Sequence, residues 1–93
     1  MIVSFGSKMT KKIWDGERVK DFPTELQKIS RRKLRMLNNS QNLMDLQVPP
    51  SNRLEKMKGN LKVYHSIRIN DQWRIIFKWD NGSAADVEIV DYH

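Results

Sequence analysis

Apolar and polar residues alternate along the second half of the chain in three successive runs. The apolar phase contains Val63, His65, Ile67 and Ile69, then Trp73, Ile75, Phe77 and Trp79, then Ala85, Val87 and Ile89. A period of two residues is typical of β-strands with one buried face. Turn-forming residues separate the runs, at Asn70-Asp71 and at Asp80-Asn81-Gly82. The pattern predicts a three-stranded antiparallel meander in which His65, Trp73 and Trp79 face the core.

The first half of the chain has a helical period instead. We predict the clearest helix from about Pro23 or Thr24 to Leu37. Proline suits the first turn of a helix, and Thr24 followed by Gln27 resembles a capping box. The apolar side of this helix comprises Leu26, Ile29, Leu34, Met36 and Leu37. Shorter elements are predicted as a strand at Met1–Phe5, a helix at Lys8–Asp15, and a helix with Leu43, Met44 and Leu46 that stops before Pro49-Pro50.

A helical first half followed by a meander predicts an α+β fold, with N-terminal helices packed on one face of a mostly antiparallel sheet. At 93 residues the chain has room for one modest core. No repeat or linker divides it. We therefore expect one domain over residues 1–93.

Keeping the apolar face intact also fixes the register of the strands. Pairing Ile69 with Trp73 and Ile67 with Ile75 places Arg68 directly opposite Arg74. The same rule in the second hairpin pairs Phe77 with Val87 and Ile75 with Ile89. It brings Asp91-Tyr92-His93 beside the Trp73–Arg74 end of the middle strand. Like charges opposite each other are destabilising, so the two arginines favour a phosphate-binding site near that end.

The composition narrows the possible functions. There are 17 Lys and Arg against 11 Asp and Glu, which gives a net charge of +6 and favours a polyanionic partner. The chain has no cysteine, its two histidines are far apart, and its four glycines are isolated. These features disfavour a metal site, a phosphate-binding glycine loop and any cofactor. No apolar run approaches the length of a membrane span, and Met1–Lys12 lacks the apolar stretch of a signal peptide. We expect a cytoplasmic protein.

Basic residues also form one side of the long predicted helix. They are Lys28, Arg31, Arg32 and Arg35, at positions i, i+3, i+4 and i+7. A solvated helix face accounts for this spacing as well as an RNA interface does. Four cations within two turns repel one another, however, and an anionic surface would relieve that cost. With Lys11 and Lys12, this face is a candidate contact for ribosomal RNA.

Cleavage of RNA without a metal requires a base for the 2′-OH, an acid for the 5′-oxygen, and cations for the charge on the phosphorane. Candidates for the proton transfers are Asp91, Tyr92 and His93. Candidates for charge stabilisation are Lys58, Arg68 and Arg74. Each of these residues also has an ordinary structural explanation, as a packed tyrosine, a turn lysine or a solvated terminal histidine. Spacing alone therefore does not decide between a catalytic and a structural role.

Several segments nevertheless resemble one family. They are Asn52-Arg53-Leu54-Glu55, Lys58-Gly59-Asn60, the run from Ser66-Ile67-Arg68 to Gln72-Trp73-Arg74, and Val87 to Asp91-Tyr92-His93. Together they resemble the HigB toxins of the RelE-like superfamily of bacterial toxin–antitoxin systems. The resemblance extends over essentially the whole chain.

This resemblance implies a twisted, mostly antiparallel sheet with helices on one side and a basic concave face on the other. It implies a metal-independent endoribonuclease that cuts mRNA in the decoding site of the ribosome and so inhibits translation. It also implies a HigA-like antitoxin partner with a helix-turn-helix, through which the pair binds operator DNA. The catalytic positions that it transfers to this chain are Lys58, Arg68, Arg74, Asp91, Tyr92 and His93. Some members carry a histidine where Glu55 stands here.

Two other functions are consistent with the same charge pattern. One is a non-catalytic module that binds RNA or the ribosome, and the other is a scaffold whose basic surface binds an acidic partner such as an antitoxin. The resemblance favours the nuclease.

Overall fold

A computed structural model describes residues 1–92 of the chain. Its elements are two α-helices, α1 (Lys8–Trp14) and α2 (Thr24–Asn39), and four strands, β1 (Glu55–Lys56), β2 (His65–Arg68), β3 (Trp73–Asp80) and β4 (Ser83–Asp91). Short 3-10 turns occupy Leu43–Gln47, Pro50–Asn52 and Gly59–Leu61. The described residues confirm the predicted α+β architecture, with the helices on one face of an antiparallel sheet in the order β1-β2-β3-β4.

The long helix begins differently from the prediction. Pro23 precedes α2, and no side chain caps its first turn, so the expected Thr24–Gln27 capping box is wrong. The Gln27 side chain is buried and folds back on the preceding loop. It accepts from the Val19 N–H at 3.1 Å and donates to the Val19 carbonyl at 2.6 Å and the Phe22 carbonyl at 3.1 Å. Gln27, which the sequence pattern assigns to a capping box, therefore fixes the loop between the two helices.

The register of the central hairpin is as predicted. Ile67 pairs with Ile75 and Arg68 pairs with Arg74. The Ile69 N–H donates to the Trp73 carbonyl at 2.9 Å, which closes the hairpin. Between β3 and β4, Ile75 pairs with Ile89 and Trp73 with Asp91. The end of β4 consequently lies beside the start of β3.

A β-bulge changes the rest of the β3–β4 pairing. Ile76 pairs with Glu88 and Lys78 with Ala85, so Asp86 and Val87 together oppose Phe77. Asp86 has φ +50°, and its carboxylate pairs with Lys78 at 2.9 Å. The predicted one-to-one pairing of Phe77 with Val87 is therefore wrong, because an extra residue in one strand locally disrupts the ladder.

The first residues of the chain run along the free edge of β4. The strand predicted for residues 1–5 does not form in full. These residues instead make isolated parallel bridges, from Ile2 to Ala84 and from Phe5 to Val87. The Ser4 Oγ accepts from the Asp86 N–H at 2.8 Å, beside the bulge. This segment covers part of an edge that would otherwise expose unpaired backbone groups.

The core lies between the helices and the sheet. Its fully buried members include Ile13, Leu34, Leu37, Leu46, Ile67, Ile75, Phe77 and Val87. Trp73 and Trp79 pack against it, as their phase predicts. Three polar side chains of α2 are buried as well, namely Gln27, Ser30 and Lys33. The buried side of α2 thus contains polar side chains in addition to the apolar residues that the sequence pattern assigns to it.

His65 is half-buried in the phase predicted for it. Its ring stacks on Phe77 with 6.1 Å between the ring centroids, and its buried Nδ1 has no hydrogen-bond partner among residues 1–92. Burial, with a smaller effect from the nearby Lys56 ammonium, lowers the pKa of the His65 imidazole below its usual 6.5. The folded protein therefore favours the neutral ring.

This lowered pKa predicts a pH dependence of stability. The unfolded chain takes up a proton at a higher pH than the folded chain does, so acid favours unfolding. We expect the free energy of unfolding to fall as the pH drops from 7.5 through about 6.5, the ordinary histidine value. Urea titrations at several pH values in that range measure the free energy of unfolding of the wild type and of the His65→Gln variant. The prediction is wrong if the variant shows the same decrease as the wild type.

Candidate active site

The candidate site occupies the sheet face opposite the helices. Paired residues of an antiparallel ladder share one face, so Arg74 lies with Val90, its partner on β4. Ser66 pairs with Glu55 and belongs to the same face. Tyr92, two residues beyond Val90, continues that phase. Residues from the four described strands, together with Tyr92, therefore converge on one surface.

Arg74 is the most constrained charged residue of this surface. Its side chain is only 9% exposed. The Nε group donates to the buried Ser66 Oγ at 2.9 Å, and an Nη2 group donates to the Arg53 carbonyl at 2.6 Å. Glu55 lies 3.6 Å from the same guanidinium. The guanidinium is thus held in one orientation, with a carboxylate at its outer side.

A cavity of about 440 Å³ lies next to this ion pair. Its lining residues are Glu55, Lys56, Met57, Lys58, Leu61 and Tyr92. Lys58 is exposed and precedes Gly59, which has φ +66° and begins a 3-10 turn. This left-handed conformation suits glycine because it has no Cβ. The cavity therefore brings an ammonium, a phenol and a carboxylate together, which is a set that can bind a phosphodiester and transfer protons.

The backbone at the end of β4 is fixed by the turn before β3. The Tyr92 N–H donates to the Gln72 carbonyl at 2.6 Å, and the Gln72 Nε2 donates to an Asp91 carboxylate oxygen at 3.0 Å. The Tyr92 side chain is 47% exposed. The sequence-based placement of Asp91 and Tyr92 beside the start of β3 is confirmed. His93 lies outside the described residues.

Arg68 has different surroundings from Arg74, although their backbones pair. Its guanidinium forms an ion pair with Asp71 in the hairpin turn. It lines a second cavity, together with residues of α2 such as Arg32 and Lys33. The predicted register is therefore confirmed for the backbone, whereas different partners hold the two guanidinium groups.

The other predicted RNA-contacting residues are distributed along both helices. Lys12, Lys28, Arg32 and Arg35 are exposed. Lys11 pairs with Asp15 at 2.6 Å, and the Arg31 Nε donates to the Ile13 carbonyl at 2.8 Å. Arg31 thus joins α2 to α1 as well as adding charge.

No group of three or more potential ligand side chains in residues 1–92 is placed to hold a metal ion. No helix in that range is long and apolar enough to cross a membrane.

Comparison with known proteins decides the family. A family model described as the RelE-like toxin of the type II toxin–antitoxin system HigB matches residues 3–93. The chain belongs to the HigB-like toxins. The resemblance inferred from its sequence segments is thereby confirmed.

One named relative agrees with this HigB-like assignment, and solved structures agree with the fold. The chain is 39% identical over 87 residues to Toxin HigB-1 of Vibrio cholerae, covering 92% of each protein. It is also 39% identical over 72 residues to an uncharacterized protein of Haemophilus influenzae, covering 77% of this chain and 71% of that protein. Two structures of YoeB–YefM complexes from Staphylococcus aureus match the fold with a TM-score of 0.62, at 18% and 19% identity. They cover 100% of this chain and 98% of the matched chains.

Sequence reasoning missed two groups in this HigB-like site. Ser66 is fully buried and orients Arg74, and the Arg53 carbonyl binds the same guanidinium. Arg53 has φ +45°, a left-handed conformation that places its carbonyl. The role of the Arg53 carbonyl could not be identified from the sequence, because every residue has a backbone carbonyl. The serine could have been suspected, because its alternation phase places it on the face of Arg74.

These contacts predict that Arg74→Ala destabilises the fold. The change leaves the buried Ser66 hydroxyl and the Arg53 carbonyl without their donor, which should cost about 2–4 kcal/mol. Chemical denaturation measures the loss. Arg74→Lys keeps the charge but cannot make both bonds in the same geometry, so we expect an intermediate value. An alanine variant as stable as the wild type would show that these hydrogen bonds contribute nothing net.

Proposed function

We propose that this HigB-like toxin is an endoribonuclease that cleaves mRNA in the decoding site of the ribosome and so stops translation. Residues 1–93 act as one toxin domain in the cytoplasm. The 2′-OH attacks the adjacent phosphorus while the 5′-oxygen leaves. The products are a 2′,3′-cyclic phosphate and a 5′-OH end, and the reaction uses no metal.

The observation that supports this proposal most strongly is the cavity in which Lys58 and Tyr92 meet beside the fixed Arg74 guanidinium. In the proposed reaction, Lys58 and Arg74 bind the scissile phosphate and stabilise the charge that develops on it. Asp91 and His93 carry the proton transfers, with Tyr92 positioning the nucleotide or the attacking hydroxyl. Glu55 separates Arg74 from the cavity, so an entering phosphate would replace that carboxylate as the ligand of the guanidinium.

Binding to the ribosome uses the basic helix surface in this proposal. It comprises Lys11, Lys12, Lys28, Arg31, Arg32 and Arg35. Lys11 and Arg31 already have protein partners, so the four freely exposed cations contribute most. Because these contacts are electrostatic, ribosome binding should weaken steeply as salt is added.

The partner that we propose is an antitoxin with a helix-turn-helix, through which the toxin reaches operator DNA. Its support is membership of a toxin–antitoxin family. The solved neighbours are described as YoeB–YefM toxin–antitoxin complexes, which is consistent with a partner for this fold.

Primer extension on purified ribosomes tests the activity. The protein is added to ribosomes translating a defined message and, separately, to the same message without ribosomes. A third reaction contains translating ribosomes at a fixed level of free magnesium that supports translation, and a selective chelator removes other divalent metals from it. We expect discrete cuts in both ribosome reactions and none in the free message. Ribosome binding without cuts would favour the non-catalytic module, and binding to neither ribosome nor RNA would favour the scaffold.

A further inference from the structure

A second cavity lies between α2 and the end of β2, apart from the residues that line the candidate active site. Its volume is about 420 Å³. The residues that line it are Ile29, Arg32, Lys33, Met36, Pro49, Ser51, Arg68 and Ile69. Three of them are cationic and none is acidic. The cavity is therefore a concentrated positive site, with apolar walls that strengthen electrostatic interactions.

Lys33 is the unusual residue of this cavity. Only 6% of it is exposed, and its ammonium donates to the Asn52 Oδ1. Asn52 is fully buried and is fixed by the donation of its own amide to the Leu46 carbonyl at 3.1 Å. An ammonium group has three N–H donors, so further acceptors can bind Lys33 from the cavity.

The surroundings of Lys33 make its charge costly. Burial, followed by the charges of Arg32 and Arg68, lowers the pKa of the Lys33 ammonium. A buried cation is normally compensated by an anion. Asp71 pairs with Arg68 from a fully exposed position in the hairpin turn. An anion entering the cavity would relieve repulsion among all three cations.

We propose that this cavity is a binding site for a phosphate group, held by Arg32, Lys33 and Arg68. A phosphate offers several oxygens at once, which suits two guanidinium groups and one ammonium better than a single carboxylate does. Ser51 adds a hydroxyl at the rim. The group is either a free phosphate ion or a phosphodiester of RNA. Cleavage is not needed for this binding, and Arg68 is the one residue that the site shares with the catalytic positions implied by the resemblance.

Amide chemical shifts under titration test the proposal. The wild-type protein is titrated with inorganic phosphate at constant ionic strength, and separately with a short RNA oligonucleotide that lacks terminal phosphates. We expect saturable shifts for Lys33, Ser51 and Arg68 with inorganic phosphate. The same shifts with the oligonucleotide identify RNA as a source, and shifts with inorganic phosphate alone identify the free ion. Both results support the site.

Two variants in exposed positions sharpen the test without disturbing the buried Lys33. Arg32→Gln should weaken phosphate binding about three- to tenfold through loss of one charged donor. Asp71→Asn frees Arg68 from its competing carboxylate and should strengthen binding about two- to threefold. Lys20→Gln removes the same charge from an exposed position outside the cavity lining and should leave the affinity unchanged.

Three results would overturn the proposal. The first is a set of small, unsaturable shifts spread over all basic residues. The second is an equal effect of Arg32→Gln and Lys20→Gln, which would indicate net charge alone. The third is acetate binding as tightly as phosphate at the same residues, which would indicate a site for the carboxylate of a protein partner.

Discussion

Replacing His93 with glutamine is expected to lower the rate of mRNA cleavage on ribosomes by about 10²–10⁴-fold, the usual contribution of a positioned acid or base. Histidine is the side chain whose ordinary pKa lies nearest to neutral pH, so it can both accept and donate a proton there. Glutamine keeps a similar size and hydrogen-bonding capacity but cannot exchange a proton. Single-turnover cleavage of a ribosome-bound message measures the change.

The matched control is His65→Gln, the same substitution at the other histidine. His65 stacks in the core and lies outside the proposed chemistry, so its variant should cleave at the wild-type rate at neutral pH where it remains folded. Both variants should keep antitoxin binding. Undiminished cleavage by His93→Gln would remove His93 from the mechanism and leave Asp91 and Tyr92 as the proton carriers.

Replacing Lys58 with methionine is expected to lower cleavage by about 10²–10³-fold, as loss of one charge-stabilising donor does in other enzymes. Methionine keeps an unbranched side chain of similar size and removes the charge and the N–H donors of the ammonium. Because Lys58 is exposed, the free energy of unfolding should stay within about 0.5 kcal/mol of the wild type. Parallel cleavage and denaturation measurements test both expectations.

Lys62→Met is the control for the Lys58 variant. Lys62 is also exposed, lies four residues further along the same turn, and is outside the cavity lining. It changes the net charge equally. If both variants lose the same activity, the contribution of Lys58 is general attraction for RNA, and its assignment to the scissile phosphate is wrong.

The central hairpin could be predicted from sequence because one physical requirement determines it. Moving a strand by one residue exchanges its buried and exposed faces. The apolar alternation, together with the short turn at Asn70-Asp71, therefore selects the pairing of Ile67 with Ile75. The positions of Arg68 and Arg74 on the backbone followed from that pairing. The placement of Asp91 beside Trp73 followed from the same rule.

Side-chain partners could not be predicted in the same way. Lys33 and Arg74 are buried with hydrogen bonds to groups distant in sequence, and Gln27 is buried with hydrogen bonds to the preceding loop. A hydropathy pattern assigns such polar residues to the surface because it contains no information about those partners. For this reason the sequence pattern assigned two equivalent arginines to one phosphate. In the structure the Arg68 guanidinium lines one cavity, whereas the Arg74 guanidinium pairs with Glu55, which lines the other.

The two-residue β1 also gave too short a pattern to recognise. Glu55 and Lys56 are both exposed, and only their ladder to Ser66 and His65 defines them as a strand. Alternation needs about four residues to be detected. The edge of the candidate site therefore depends on pairing that the sequence does not indicate.

The bulge at Asp86 determines which way the tyrosine at position 92 points. On β4 the buried positions are Ala84 before the bulge and Val87 and Ile89 after it, so even positions are inside before it and odd positions after it. A chain lacking Asp86 would lose the bulge and keep Ala84, Val87 and Tyr92 on their present faces, because the extra residue is what shifts the phase. A single insertion or deletion between Val87 and Tyr92 has no such residue to compensate for it. It would turn the tyrosine towards the helices and dismantle the cavity without altering any residue that lines it.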